Sequence, residues 1–226
     1  MRKNALYMLG RAFIKAYSSL LLKMDVHWYE RRLPEGPKLF VANHPSATDP
    51  FVIHLLSHMS VMITANAFSF PLFGSYIRGA GQIAVIPGQG EEALENARRL
   101  LEAGRSVGIF PEGTFSPQAG GFHQPRTGAA RLALTTGVPV IPVGIYLPRE
   151  RSLKIVSRLS GRPTIGYWYL HGPYGITVGQ AMRFHGDPGD KAHVQSISQS
   201  IMHWIRSLAH ESEQRVRRLL PAQVAA

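Results

Sequence analysis

Short apolar runs recur along the chain, each followed by a segment of helical periodicity, and this alternation constrains the fold more than any other feature. The runs at 38–42, 61–65, 83–86, 107–110 and 138–145 read as strands, the last broken by Pro142. Between them, 49–58, 72–78, 91–103 and 127–136 read as helices. Glu91 and Glu92 in a first turn favour a helix start, while Gly104 and Gly137 supply stops. Two more strands are expected at 164–170 and 176–184, after a basic connection, and a long helix at 190–220. Strand and helix in alternation give an α/β sheet flanked by helices. At 226 residues, with no internal repeat, the chain suits one domain with a full core.

The chain has no cysteine, which excludes disulfides, thiolate metal sites and cysteine nucleophiles. Lys and Arg number 25 against 14 Asp and Glu, a net charge of +11 that calls for an anionic partner. The basic residues gather in three places: Arg2, Lys3, Arg11, Lys15 and Lys23; Arg149, Arg151, Lys154, Arg158 and Arg162; and Arg215, Arg217 and Arg218. No nucleic-acid module accompanies them, so a membrane surface is the expected partner. Residues 4–24 place Leu6, Leu9, Phe13, Tyr17, Leu20 and Met24 at helical spacing opposite Arg11, Lys15 and Ser18. Arg11 and Lys15 interrupt any membrane-spanning run, and no signal-peptide cleavage pattern follows. The expectation is an amphipathic membrane-surface helix over 1–24 and a catalytic domain over 25–226; the plain alternative is a helix packed on the core.

Two segments carry the chemistry. His44-Pro45-Ser46-Ala47-Thr48-Asp49 follows a strand and places an imidazole five residues from a carboxylate that can orient it as a base. Asp49 also precedes Pro50, and Asp followed by Pro is a common helix start, so an N-cap role is open to it as well. Phe110-Pro111-Glu112-Gly113-Thr114 follows another strand, at the end where ligands bind in open α/β sheets. Read alone, it is also a plausible simple turn.

These segments, with 127–134 and 138–145 following in order, resemble the motif blocks of the glycerolipid acyltransferases over residues 38–146. The resemblance implies a glycerol-3-phosphate acyltransferase-like fold at the cytoplasmic face of a membrane. It implies transfer of a fatty acyl group from acyl-coenzyme A or acyl carrier protein to a lysolipid hydroxyl, most typically that of 1-acylglycerol-3-phosphate, without metal or resident cofactor. His44 becomes the general base and Asp49 its partner. Glu112, Gly113 and Thr114 fall at the acceptor site, and Pro142 lies on the strand linked to acyl-donor binding. Backbone N–H groups near His44 or Gly113 are candidates for the oxyanion.

The chain departs from the pattern at two places. Pro87 and Phe115 stand where the family usually carries arginines that grip the acceptor phosphate. Neither can imitate a guanidinium fork. Either Arg126, Arg78 or Arg131 substitutes, or the acceptor lacks a phosphate monoester. Three decoys accompany the motifs. Gly104-Arg105-Ser106-Val107-Gly108 matches a nucleophile elbow but precedes its strand instead of following one. His54 and His58 have metal-compatible spacing without a third ligand. Ser46 lies beside His44 with no second base to activate it. The rivals are therefore a serine hydrolase acting through Ser106 and a non-catalytic basic membrane-binding module.

Overall fold

The computed structural model describes residues 5–69, 73–157 and 163–220. Residue 4 of the expected first helix, Leu72 of the expected third, and Arg2, Lys3, Arg158 and Arg162 lie outside these residues, as do the side chains of Leu6, Leu9 and Arg11. In chain order the elements are α1 (Ala5–Leu20), β1 (Leu22–Trp28), β2 (Leu39–Ala42), α2 (Asp49–Leu56), β3 (Met59–Thr64), α3 (Phe73–Gly79), β4 (Ile83–Val85), α4 (Gly90–Glu102), β5 (Ser106–Ile109), α5 (Gly128–Thr136), β6 (Val140–Tyr146), β7 (Leu153–Ser157), β8 (Thr164–Trp168), β9 (Gly172–Val178) and α6 (Lys191–Leu219). Seven strands form one sheet in the order β1-β9-β6-β2-β5-β3-β4, and β7 and β8 form a separate hairpin. All neighbours in the large sheet run parallel except β6 and β9.

The expected α/β class is the observed one, because the central strands are apolar on both faces. Phe40, Ile141, Val143 and Ile176 bury one face under Ile14 and Tyr17 of α1, Val52 and Ile53 of α2 and Ile77 of α3. Leu39, Val41, Val107 and Val140 bury the other under α4, α5 and α6. Strand β2 lies directly beside β5, with Leu39 opposite Val107 and Val41 opposite Ile109. The turns leaving their carboxyl ends, one bearing His44 and the other Glu112, are therefore neighbours. The long helix α6 starts where expected, with the Asp190 carboxylate accepting from the N–H groups of Ala192 and His193 at 3.0 and 3.1 Å.

Several boundaries differ from the sequence reading. The first helix stops at Leu20, and Met24 belongs to β1, so a division between residues 24 and 25 falls inside a strand of the sheet. The four apolar residues of β1 alternate with Lys23, Asp25 and His27, a period-two signal hidden by the helical spacing that ends at Met24. Strand β6 is continuous through Pro142. Its pairing passes from Val140 opposite Met182 to Val143 opposite Val178, leaving two residues on one side and three on the other. Pro142 thus sits at a bulge, where a missing N–H does not interrupt the ladder. Strand β9 starts at Gly172 instead of residue 176, and the basic connection contains β7.

Helix α6 passes close over Gly144 of β6: a Cβ there would lie 2.0 Å from the Ala209 backbone nitrogen. Backbone cannot swing aside as a side chain can. Gly144→Ala is therefore expected to destabilise the fold by about 1–3 kcal/mol or more, read as a lowered denaturation midpoint.

Candidate active site

His44 leaves β2 at the carboxyl edge of the sheet, and Asp49 opens α2 five residues later. The Nδ1 of His44 lies 2.8 Å from Oδ2 of Asp49. A carboxylate only accepts, so Nδ1 carries the proton and Nε2 presents its lone pair. Nε2 has no hydrogen-bond partner among the described residues. The His44 side chain keeps 15% of its exposure whereas Asp49 keeps none, so solvent and ligands reach the imidazole and not the carboxylate. The ring is stacked on Phe110, with centroids 4.1 Å apart, and Phe115 tilts against it at 4.6 Å.

Asp49 does not cap its helix. Thr48 stands at the N-cap position without a side-chain cap bond, and the Asp49 carboxylate turns back on its own loop. Oδ2 also accepts from the Ser46 N–H at 2.8 Å, and Oδ1 accepts from the Tyr174 hydroxyl at 2.6 Å. Burial first, and the adjacent Asp49 charge second, hold the Tyr174 phenol well above its usual pKa, so it remains a donor. Nothing in the sequence singled out Tyr174, 125 residues away on β9.

Glu112 joins the two motifs. Its carboxylate is almost wholly buried and accepts from the backbone N–H of His44 at 3.2 Å, from the N–H of His123 at 2.8 Å and from the Ser116 hydroxyl. The Ser116 N–H in turn donates to the His44 carbonyl at 2.8 Å. All this capacity is spent within the protein, so Glu112 holds the loop in shape. Gly113 has φ of +66°, and a Cβ on it would collide with the Arg126 side chain. Gly113 thus lies against Arg126, and both are exposed, as is Thr114. Of the backbone N–H groups in the region expected to serve the oxyanion, those of His44 and Gly113 themselves are engaged, the first by Glu112 and the second by the Phe110 carbonyl at 3.1 Å.

Arg149 is a cation that the sequence reading placed only in a basic stretch. Its guanidinium donates to the Pro117 carbonyl and, at 3.2 Å, to that of Gly121. Burial lowers its pKa, while the charges of Glu112 and Asp49 push the other way. It therefore balances two buried carboxylates while bracing the loop after Glu112.

The other expected residues lie elsewhere. Pro142 is buried inside β6 opposite Val41, with Gly179 against its ring. Arg131 pairs with Glu91 of α4 at 3.7 Å, and Arg78 donates to the Phe68 carbonyl at 2.6 Å. Ser106 opens β5 at the opposite edge of the sheet and accepts from the Lys38 N–H at 3.1 Å, which removes it from the site. Ser46 is fully buried, its hydroxyl bonded to the Tyr167 carbonyl at 2.9 Å and to the Tyr169 N–H at 3.0 Å. His54 is buried with Nδ1 3.0 Å from the Met59 carbonyl, and no group of three or more ligating side chains occurs among the described residues.

An imidazole held by a buried carboxylate, with its other nitrogen unpaired among the described residues, is an arrangement that can take a proton from a hydroxyl. Residues 23–146 match the model of the Acyltransferase family, and the chain belongs to that family. It is 36% identical over 122 residues to a lyso-ornithine lipid O-acyltransferase of Pseudomonas aeruginosa, which covers 52% of this chain and 46% of that protein. It is 27% identical over 161 residues to a 1-acyl-sn-glycerol-3-phosphate acyltransferase of Borreliella burgdorferi, 69% of this chain and 64% of that protein. The chain spans about half the length of the curated relatives it matches. The crystal structure of the 1-acyl-sn-glycerophosphate acyltransferase PlsC from Thermotoga maritima has the same fold, with a TM-score of 0.61 at 20% identity over 93% of this chain and 78% of that one.

Removing the Glu112 carboxylate leaves the buried Ser116 hydroxyl and the His123 N–H without their acceptor, while the His44 N–H keeps Ser116 Oγ at 3.2 Å. Glu112→Ala should cost about 1–3 kcal/mol by denaturant titration, while Glu112→Gln, which keeps one acceptor oxygen, should cost less.

Proposed function

We propose that this chain transfers a fatty acyl group from an acyl thioester, carried by coenzyme A or acyl carrier protein, to the hydroxyl of a lysolipid, with 1-acylglycerol-3-phosphate as the acceptor. The observation that carries this reading is the His44–Asp49 pair, with its open Nε2 at the carboxyl edge of the sheet. In this mechanism Nε2 removes the hydroxyl proton as the oxygen attacks the thioester carbonyl carbon. The imidazolium is stabilised by Asp49, whose own charge is steadied by Tyr174 and the Ser46 N–H. Collapse of the tetrahedral intermediate breaks the carbon–sulfur bond, and the imidazolium proton leaves with the thiolate. Gly113, Thr114 and Arg126 meet the acceptor head group, with Arg126 offered to its phosphate. The strand containing Pro142 keeps its proposed link to the acyl donor through its place in the sheet. The protein acts as a peripheral protein at the cytoplasmic face of a membrane, with α1 and the excess positive charge as contacts; no helix among the described residues is long and apolar enough to cross a bilayer.

Phe115 favours a second reading of the acceptor. An aromatic ring packs on His44 where the family pattern has a phosphate-binding arginine. An acceptor without a phosphate monoester suits that wall better, and one relative is named for a lyso-ornithine lipid.

A general base contributes on the order of 10² to 10⁴ in rate, so His44→Ala should lose at least about a hundredfold in acyl transfer with folding intact. Asp49→Asn should lose less, and near-normal transfer by His44→Ala would refute the assignment. Competition between 1-acylglycerol-3-phosphate and neutral or zwitterionic lysolipids separates the two acceptors: preference for the phosphate monoester should fall by about tenfold in Arg126→Ala. If the wild type prefers the neutral or zwitterionic lysolipids, the second reading stands instead.

A further inference from the structure

The hairpin β7–β8 is unusual in what it leaves uncovered. It forms no ladder with the large sheet, yet Leu153, Ile155, Val156 and Ile165 are 52, 46, 55 and 48% exposed. Ile155 and Val156 are consecutive, so they point to opposite faces of the ribbon, and among the described residues each is left about half exposed. A two-stranded ribbon with bare apolar residues on both faces is at best marginally stable in water. The surrounding sequence is strongly basic: between residues 149 and 168 there are five arginines and lysines and one acidic residue, Glu150. Lys154 is exposed among the apolar side chains. Apolar tips flanked by positive charge complement an anionic bilayer surface, with hydrocarbon for one and head-group phosphates for the other.

The base of the hairpin is built into the active site. The Tyr167 carbonyl accepts from the Ala47 N–H at 2.7 Å and from the Ser46 hydroxyl at 2.9 Å, and the Tyr167 ring lies edge-on to Phe115 at 5.8 Å. The Thr48 hydroxyl donates to the Tyr169 carbonyl at 3.0 Å. Whatever seats the hairpin therefore seats the turn between His44 and Asp49. Exposed Leu20, Leu21 and Leu170 continue the apolar surface, since the Gly172 N–H donates to the Leu21 carbonyl and Tyr17 donates to the Leu170 carbonyl.

We propose that the β7–β8 hairpin is a membrane wedge: Ile155, Val156 and Ile165 enter the interface of an anionic bilayer, Lys154 meets its phosphates, and the hairpin's base holds the His44 turn at the lipid surface. The proposal rests on the lipid-acylation reading for its purpose, but not for its measurement. With the full chain, sedimentation with vesicles of phosphatidylcholine, with or without phosphatidylglycerol, reads the binding directly. Ile155→Asp combined with Val156→Asp should weaken binding by about tenfold or more at an unchanged thermal midpoint. Lys154→Glu should weaken it by about tenfold on anionic vesicles only. Because the chain has no cysteine, Ile155→Cys can carry a single environment-sensitive fluorophore, whose emission should shift to the blue on vesicles. Wild-type binding by the double aspartate variant, a label that stays in water, or a dimer abolished by that variant without loss of vesicle binding would each overturn the wedge. Hairpin-dependent binding without acylation of any lysolipid would refute the proposed function and leave the wedge standing. Lysolipid acylation with hairpin-independent binding would do the reverse.

Discussion

The buried carboxylate of Asp49 is the group on which the site depends. A charge removed from water is tolerated only when donors surround it, and Asp49 has three: the His44 ring, the Ser46 N–H and the Tyr174 hydroxyl. Each donor comes from a different structural source: the end of β2, the turn itself and β9. Satisfying the charge therefore fixes the rotamer of His44, closes the turn and ties it to a distant strand. The tautomer follows from the same bond, because an oxygen that only accepts leaves Nδ1 no choice.

A second buried carboxylate, Glu112, does for the backbone what Asp49 does for the imidazole. It receives the His44 N–H from one motif and the Ser116 hydroxyl and His123 N–H from the other. This is possible because β2 and β5 are adjacent and parallel, so segments far apart in sequence leave the sheet side by side. Arg149 brings positive charge to the pair from beyond β6. Two carboxylates and one guanidinium thus form a small charged framework around His44, whose Nε2 has no partner among the described residues.

The large sheet was legible because β2, β3, β5 and β6 are mostly apolar, and turn residues separate them from the helices. His44 and Asp49 were legible because they are close in sequence and their spacing has chemical meaning. Tyr174 was not, since a tyrosine in a strand carries no mark of a partner 125 residues away. Strand β1 escaped because Met24 completes a helical stripe and an alternating strand at once, and packing beside β9 decided between them. Strand β7 of the hairpin escaped because Lys154 interrupts its short apolar run, whereas β8 falls within the strand expected at 164–170. Pro142 suggested a broken strand, since a bulge is a property of two registers and not of one segment.

The reversal of β9 against β6 reaches further than topology. In a wholly parallel sheet the start of a strand lies at the edge opposite the ligand site. Here β9 and β1 run the other way, so Tyr174, near the start of β9, lies beside Asp49, and the end of α1 arrives at that same edge. The β7–β8 hairpin, which follows the end of β6, emerges there too. Chemistry and exposed apolar chain are thereby gathered on one rim, giving the molecule a front and a back. Seated by that front on a bilayer, as proposed above, the protein would search for substrate in two dimensions, and its encounter rate would be set by the surface density of lipid and not by a concentration in solution.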